Sequence, residues 1–217
     1  MKKMKALMLL LMLTTTIGMQ AQIPAEVKEV MTKCSQKMDH PKGMEIEMDM
    51  HTKFMAVLSM NGTMKIASKG DLSKESITFK MLGKEIREEA GFDGQQRWKF
   101  KPKAAKDGKD SLIIIKTDKK PKSDNNIDFD IDKDYRKAKM KLKGANYEIT
   151  FSDPISDDSP KKTIIKINKD TYYFYEMSFK QSVASVRITV KKIKIGVDDS
   201  TFRFDPAKYP NAIVVRK

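Results

Sequence analysis

Apolar and charged residues alternate over the segment 44–51, which reads MEIEMDMH. A period of two is typical of a strand with one buried face. The same period returns in later segments, with turn-forming residues between them, so we expect one antiparallel sheet of about ten strands. Beyond the hairpin described below, the predicted strands cover 44–51, 64–66, 76–82, 112–115, 137–143, 147–151, 163–167, 171–179, 183–195 and 201–204.

The pattern also predicts two interruptions. Asn61-Gly62 is a strong hairpin signal and indicates a turn between the first two strands. Within 183–195, the apolar residues change parity across Lys191-Lys192. A change of parity within one strand is typical of a β-bulge, because one extra residue turns all later side chains to the other face.

A further hairpin is predicted over residues 84–102, KEIREEAGFDGQQRWKFKP, around the turn signal Asp93-Gly94. A two-residue loop would set the apolar residues of one strand beside the polar residues of the other. A three-residue loop pairs Ala90 with Trp98, the only tryptophan, and gathers the apolar side chains on one face. We favour this register, because a slip of one residue turns every side chain over. The shared face would hold Ile86, Ala90, Phe92, Trp98 and Phe100.

An amphipathic helix is predicted over residues 24–38. Pro24 suits its first turn, and apolar residues recur at helical spacing on one face. A helix of this length is not stable alone, so its apolar stripe must pack on another apolar surface. The stripe contains Val27, Val30, Met31, Cys34 and Met38.

The N-terminus has the pattern of a secretory signal: three lysines, an uncharged run over 6–18, and small residues before a cleavage point after Ala21. An uncleaved membrane anchor is the alternative. Cleavage removes three of the positive charges that make the net charge +14. The remaining lysines are spread along the chain without alternating aromatics, which argues against a nucleic-acid-binding protein.

Residues that could support chemistry are sparse. A single cysteine, Cys34, excludes an internal disulfide and is expected to be a core thiol rather than a reactive one. His40 and His51 lack further ligands at metal-binding spacing. The aspartates of 128–134 lack the glycine and glutamate of a calcium loop, which favours an acidic strand or helix start. We find no nucleophile motif or phosphate loop, so we expect no enzyme, no cofactor and no metal.

Large, soft side chains are abundant on the predicted strands, and six methionines fall between residues 44 and 64. They can fill an ordinary core, because methionine suits irregular gaps. They can also line a cavity that repacks around flexible apolar ligands. A long sheet with one covering helix favours the cavity.

The segment GFDGQQRWKFKP resembles a signature of the LolA family, the periplasmic carriers of outer-membrane lipoproteins. Asp93, Gly94, Trp98, Phe100 and Pro102 match it at the family's spacing. The segment 197–215, with an F-x-F pattern at 202–204, resembles the closing strand and tail of the same family. The order of signal, helix, strands, hairpin and tail is similar as well.

The resemblance implies an open, curved antiparallel sheet, a half-barrel whose concave face is covered by the N-terminal helix. It implies a monomeric periplasmic carrier that takes lipoprotein acyl chains, or another lipid, from inner-membrane release machinery to an outer-membrane acceptor. The acyl chains would displace the helix as a lid and lie on the concave wall. Lid residues would be Val27, Val30, Met31 and Cys34, and cavity residues Ile77, Phe79, Met81, Phe92, Trp98 and Phe100.

One feature of the family is missing. The arginine that holds the lid closed has no counterpart, and Lys69-Gly70 or Lys74 stands in that region. We therefore expect a mainly β protein with one helix, a signal peptide at 1–21 and one LolA-like domain at 22–217. The alternative is an envelope sensor or interaction domain that uses the same sheet without carrying lipid. It would have a closed core and an exposed patch.

Overall fold

The computed structural model describes residues 23–55, 58–81, 84–102, 109–116, 134–157 and 159–216. The predicted signal peptide and its cleavage point lie outside these residues, as do the aspartates at 128, 130 and 132. The elements are α1 (Ala25–Met38), β1 (Met44–Phe54), β2 (Leu58–Lys69), β3 (Leu72–Met81), β4 (Lys84–Phe92), β5 (Gln96–Lys101), β6 (Ser111–Lys116), β7 (Tyr135–Lys143), β8 (Asn146–Pro154), β9 (Lys162–Asn168), β10 (Phe174–Gln181), β11 (Ala184–Ile195), two 3-10 helices (Asp199–Phe202 and Pro206–Lys208) and β12 (Ile213–Arg216).

The twelve strands form one open sheet in the order β12-β6-β5-β4-β3-β2-β1-β11-β10-β9-β8-β7. Neighbouring strands are antiparallel except at one edge, where β12 runs parallel to β6. The ends of the order, β12 and β7, are not paired with each other. The predicted fold class, an open and mainly antiparallel sheet with one helix, is confirmed, with this one parallel pair added.

Alternation divides the sheet into two faces, because residues directly opposite each other on paired strands point to the same side. We call the face that carries Met44, Ile46 and Met48 the helix face, since these residues share one buried cluster with α1. We call the other, which carries Glu45 and Glu47, the outer face. Buried residues of the cluster come from seven strands that are neighbours in the sheet: β2, β1, β11, β10, β9, β8 and β7. Seven flat strands would span about 29 Å, and a helix is about 10 Å wide, so the sheet curves around α1.

The predicted bulge at Lys191-Lys192 is confirmed. The pairing of β1 with β11 shifts between Glu47 and Met48, which lie opposite Lys192 and Val190, so Lys191 is the extra residue. The shift keeps the apolar residues of β11 on the helix face on both sides of the bulge.

The turn predicted at Asn61-Gly62 is wrong, because both residues lie inside β2, where Gly62 pairs with Met50 and with Phe79. The missing side chain has a packing role. A Cβ atom at Gly62 would lie 2.7 Å from the carbonyl oxygen of Thr78 and 3.1 Å from Cβ of Phe79. Glycine inside a strand often marks such a close approach.

The strand predicted at 201–204 is also wrong. Residues Asp199–Phe202 form a 3-10 helix, which the side chain of Asp198 caps by accepting a hydrogen bond from the N–H of Ser200 at 2.8 Å. The local cap therefore prevails over the alternation of apolar residues. Phe202 is turned inward and packs with Ala67 and Val197.

Candidate functional site

Helix α1 packs a fully apolar stripe on the sheet. Pro24 precedes its first residue, and the N–H of Val27 donates to the carbonyl of Pro24 at 3.0 Å. All four predicted lid residues are buried, and two of them, Val27 and Cys34, are completely covered. The buried residues of the helix are Val27, Val30, Met31, Cys34 and Met38.

The layer under the helix is rich in methionine. The buried cluster contains six methionines from α1, β1, β2 and β10, and Met50 and Met140 pack against it. Branched and aromatic residues of β8, β9 and β10 complete the layer on the other side of the helix. Methionine side chains are unbranched and polarisable, so such a layer can repack around an inserted apolar chain at small cost. The six buried methionines are Met31, Met38, Met44, Met48, Met64 and Met177.

Cys34 lies in this layer, so the reactivity of its thiol reports whether α1 covers the sheet. Burial raises the pKa of its thiol to about 12, and a hydrogen bond with the backbone of Phe174 only partly offsets that effect. A thiol reacts as its thiolate, so Cys34 is unreactive while α1 covers the sheet. This agrees with the expectation of a core thiol.

A polar contact joins the helix to the turn before β10. Nζ of Lys33 lies 5.0 Å from the centroid of the Tyr172 ring, and Lys33 also pairs with Glu29 at 2.7 Å. Tyr172 has a φ of +59°, in the left-handed region that is uncommon for a side chain of this size. Asn168 stabilises the turn, since its side-chain oxygen accepts hydrogen bonds from two backbone N–H groups. The turn thus holds an aromatic ring against the helix.

Three of the six predicted cavity residues lie on the helix face. Ile77 packs against the cluster under α1. Phe79 lies opposite Gly62, which in turn lies opposite Met50 of β1. Phe92 lies opposite Ser73, and this row continues through Ser68 to Met44 of β1. Phe92 is buried and Phe79 is half-buried. The side chain of Met81 lies outside the part of the chain that the structure describes.

The remaining two predicted cavity residues, Trp98 and Phe100, lie on the outer face. The predicted pairing of Ala90 with Trp98 is wrong, because Trp98 lies opposite Gly91 and Phe100 opposite Glu89. This register is one residue away from the predicted one, so Phe92 and Trp98 point to opposite sides of the sheet. That any of the six residues contacts lipid stays a prediction.

The C-terminal segment covers Trp98. The Trp98 ring lies 5.7 Å from the ring of Phe204 and 5.9 Å from that of Tyr209, and Tyr209 is 4.9 Å from Phe100. Two backbone hydrogen bonds begin this segment beside β1: the N–H of Gly196 donates to Gly43 and that of Val197 to Lys42. The aromatic residues of the two motifs that resemble the LolA family therefore pack against each other.

Glu89 is a buried polar residue of the outer face that contacts the C-terminal segment. It is 4% exposed, accepts a hydrogen bond from the hydroxyl of Tyr209 and pairs with Arg87. Burial, and then the hydrogen bond to Glu89, raise the pKa of Tyr209. The indole N–H of Trp98 is buried without a hydrogen-bond partner.

A small cavity of about 180 Å³ lies between this segment and the outer face. Glu45, Lys74, Arg87, Glu89 and Thr201 are among the residues that line it. Burial lowers the pKa of Lys74, against the opposing effect of Glu89, and its Nζ is 5.9 Å from the Trp98 ring. The cavity is large enough for ordered water, which can satisfy such groups.

The described residues contain neither a cluster of metal ligands nor a helix of membrane-spanning length. Within them, no group of three or more His, Cys, Asp or Glu side chains is placed to hold a metal ion. His51 instead shares a hydrogen bond of 2.5 Å with Asn61. No helix in the same residues is long and apolar enough to cross a membrane.

Two residues of the outer face were missed by sequence reasoning. Tyr209 and Glu89 meet on the outer face, although 120 positions separate them. No periodic signal marks Tyr209, because it follows a short 3-10 helix rather than a strand. The alternation of β4 does place Glu89 and Gly91 on one face, but the predicted register set Ala90 rather than Gly91 opposite Trp98.

The sequence matches no protein-family model and no curated protein. Solved structures are similar in fold. A protein from Thermus thermophilus, described as an uncharacterized conserved protein, superposes with a TM-score of 0.54 at 8% identity, covering 88% of this chain and 99% of the other. A LolA superfamily protein from Nitrosomonas europaea gives 0.39 at 10% identity, covering 82% and 97%. A putative outer membrane lipoprotein-sorting protein domain from Vibrio parahaemolyticus gives 0.40 at 13% identity, covering 81% and 95%.

At these identities, the similarity to the Thermus thermophilus protein establishes the fold and nothing finer. The chain therefore shares the fold of that protein.

Proposed function

We propose that the protein binds lipid acyl chains between α1 and the helix face of the sheet and carries them across the periplasm. One observation carries the proposal: in the part of the chain that the structure describes, one short α-helix covers a methionine-rich apolar layer on a sheet that is open at both edges. A layer of this composition accepts flexible apolar chains once the helix moves, because methionine repacks readily.

The wall under this proposal consists of Ile77, Phe79 and Phe92 with the methionines of β1 and β2. Trp98 and Phe100 are left out, because the C-terminal segment covers them on the outer face. The lid is α1, with Val27, Val30, Met31 and Cys34 as its apolar surface. The Lys33 contact with Tyr172 acts as the latch in place of the arginine of the resembled family.

The cargo under this proposal is a lipoprotein or a related diacyl lipid, and the carrier works as a monomer. Residues 1–21 direct it to the periplasm and are removed there. It contacts inner-membrane release machinery and an outer-membrane acceptor only transiently. Exchange of this kind needs no cofactor and no catalytic group.

The first test is titration of the purified protein with a fluorescent fatty acid, followed by displacement with a synthetic diacyl lipopeptide. We expect saturable binding of one or a few acyl chains for each protein, and competition by the lipopeptide. Failure to bind either ligand, with the fold intact by circular dichroism, would contradict the proposal and favour the interaction domain.

The lid has a separate readout. Cys34 is unreactive when α1 lies on the sheet, so movement of the helix must expose it to a thiol reagent. We expect the lipopeptide to accelerate labelling of Cys34. The control is a Lys28→Cys, Cys34→Ser variant, whose exposed thiol should react at the same rate with and without ligand. Binding without faster labelling would support the carrier and contradict the lid.

A further inference from the structure

One end of the sheet exposes aliphatic side chains at its turns. Met55 after β1 is 70% exposed, Val183 before β11 is 49% exposed and Ile155 after β8 is 54% exposed. The N–H of Met55 donates to the carbonyl of Val183 at 2.9 Å, so these two turns are neighbours. Leu58, opposite Phe54 at the same end, is also exposed. Grouped aliphatic side chains in water are a mark of an interaction surface. We call this the loop end.

Lysine, arginine and histidine side chains line the outer face directly behind the loop end. A groove of about 400 Å³ is bordered by His51, Lys53, Lys162, Lys180 and Arg187. No carboxylate is among the described residues that border it. Ile164 and Ser178, which lie opposite each other, also line it.

The lysines of the groove are placed against each other rather than against acids. Lys162 of β9 lies directly opposite Lys180 of β10. Ser185 of β11 lies opposite Lys180, and Lys53 of β1 lies opposite Ser185. Directly opposite side chains are about 5 Å apart at Cβ, and like charges in that position destabilise a sheet. An anion bound along this row would remove the repulsion.

The far end of the outer face has a different arrangement. There Lys166 pairs with Glu176 at 2.8 Å, and Lys143 pairs with Glu148 at 2.9 Å. Lys162 and Lys180, by contrast, have each other rather than an acid directly opposite.

We propose that the loop end docks on an anionic lipid bilayer, with Met55 and Val183 entering the headgroup region and Lys53, Lys162 and Lys180 contacting lipid phosphates. Exposed aliphatic tips in front of a row of lysines are what a membrane surface requires, since it offers an apolar boundary below a layer of negative charge. A soluble anion would contact the lysines but leave the aliphatic side chains of Met55 and Val183 in water. This docking does not depend on acyl binding under α1.

Vesicle sedimentation tests the proposal. The purified protein should bind vesicles of phosphatidylglycerol mixed with phosphatidylcholine and not vesicles of phosphatidylcholine alone. We expect Lys162→Gln with Lys180→Gln to weaken this binding at least about tenfold. Lys192→Gln with Lys194→Gln is the matched control, because it removes the same charge from the far end of the same face, and it should change binding less than about threefold.

A probe at the aliphatic tip distinguishes docking from non-specific attraction. Met55→Cys can be labelled selectively with an environment-sensitive dye, because the only native thiol, Cys34, is buried. We expect the emission to shift to the blue on anionic vesicles. The same dye at Leu142→Cys, which is 58% exposed at the far end, should not shift.

Three results would overturn the proposal. They are equal binding to neutral and anionic vesicles, equal losses in the two lysine pairs, and a dye at Met55 that stays in water on bound vesicles. Binding of polyglutamate through Lys162 and Lys180, without vesicle binding, would also overturn it and would indicate an acidic protein partner instead.

Discussion

Gly91 of β4 lies directly opposite Trp98 of β5, and a Cβ atom at Gly91 would come within 2.7 Å of the indole ring. The edge of the ring that carries Nε1 therefore packs closely on Gly91, and the C-terminal segment covers the ring. We expect Gly91→Ala to lower the free energy of unfolding by about 1–3 kcal/mol, because the rigid ring must move away from its partners. Urea denaturation followed by circular dichroism measures this.

The control for this prediction removes the ring. In a Trp98→Leu background, Gly91→Ala should cost clearly less than in the native protein, because the side chain that it would strike is smaller and flexible. Equal costs in both backgrounds would mean that the strain arises from the strand rather than from the contact.

The hydroxyl of Tyr209 is expected to stabilise the C-terminal segment through Glu89. Tyr209→Phe leaves the buried carboxylate one hydrogen bond short, which should cost about 1–3 kcal/mol in the free energy of unfolding. Phe204→Tyr is a useful comparison, because it adds a hydroxyl to the same aromatic group without removing a partner of Glu89.

The same contact predicts a dependence on alkaline pH. The pKa of Tyr209 is raised in the folded state by burial and by Glu89, so folding favours the protonated phenol. This contribution is complete below the unfolded pKa of about 10 and is lost as the pH rises above it. Native protein should therefore lose stability above about pH 10 more steeply than Tyr209→Phe. Parallel curves for the two proteins would show that Tyr209 does not titrate on unfolding.

Two half-buried phenylalanines on opposite faces of the sheet test where acyl chains bind. Phe79→Ala, on the helix face, should weaken binding of a fluorescent fatty acid by about fivefold or more, because it removes apolar wall. Phe100→Ala, on the outer face, should reduce stability and leave the affinity unchanged. Equal effects on affinity would contradict binding under α1.

The contact between Lys33 and Tyr172 is expected to slow the opening of α1. Lys33→Gln removes the cation over the ring, and labelling of Cys34 without ligand should become about two- to fivefold faster. Lys28→Gln removes an exposed cation from the same helix and should leave the rate unchanged. If both variants label at the native rate, the helix is held by its apolar stripe alone.

Much of the fold follows from local patterns. The stripe of Val27, Val30 and Cys34 predicts α1 almost to the residue, and the alternation over 44–51 predicts β1. The bulge at Lys191 was readable as a change of parity. These features depend on which residues can point to one side of a short element, and neighbouring residues are sufficient to decide that.

The candidate site was predicted less completely, because it depends on register. Phe92 and Trp98 belong to one hairpin, and a slip of one residue decides whether they share a face. The three-residue loop gathers the hairpin's own apolar side chains, and it would be favoured if the hairpin stood alone. The native register instead turns Trp98 away from α1 and towards Phe204 and Tyr209.

The sequence by itself determined the helix, most strands, the bulge and an apolar layer rich in methionine, since each rests on spacing within one segment. Only the tertiary structure decided that Trp98 and α1 lie on opposite sides of the sheet and that Lys162 faces Lys180. The physical reason is that the free energy of a register includes every partner that the face will meet, and those partners come from distant parts of the chain. A local pattern contains no information on them.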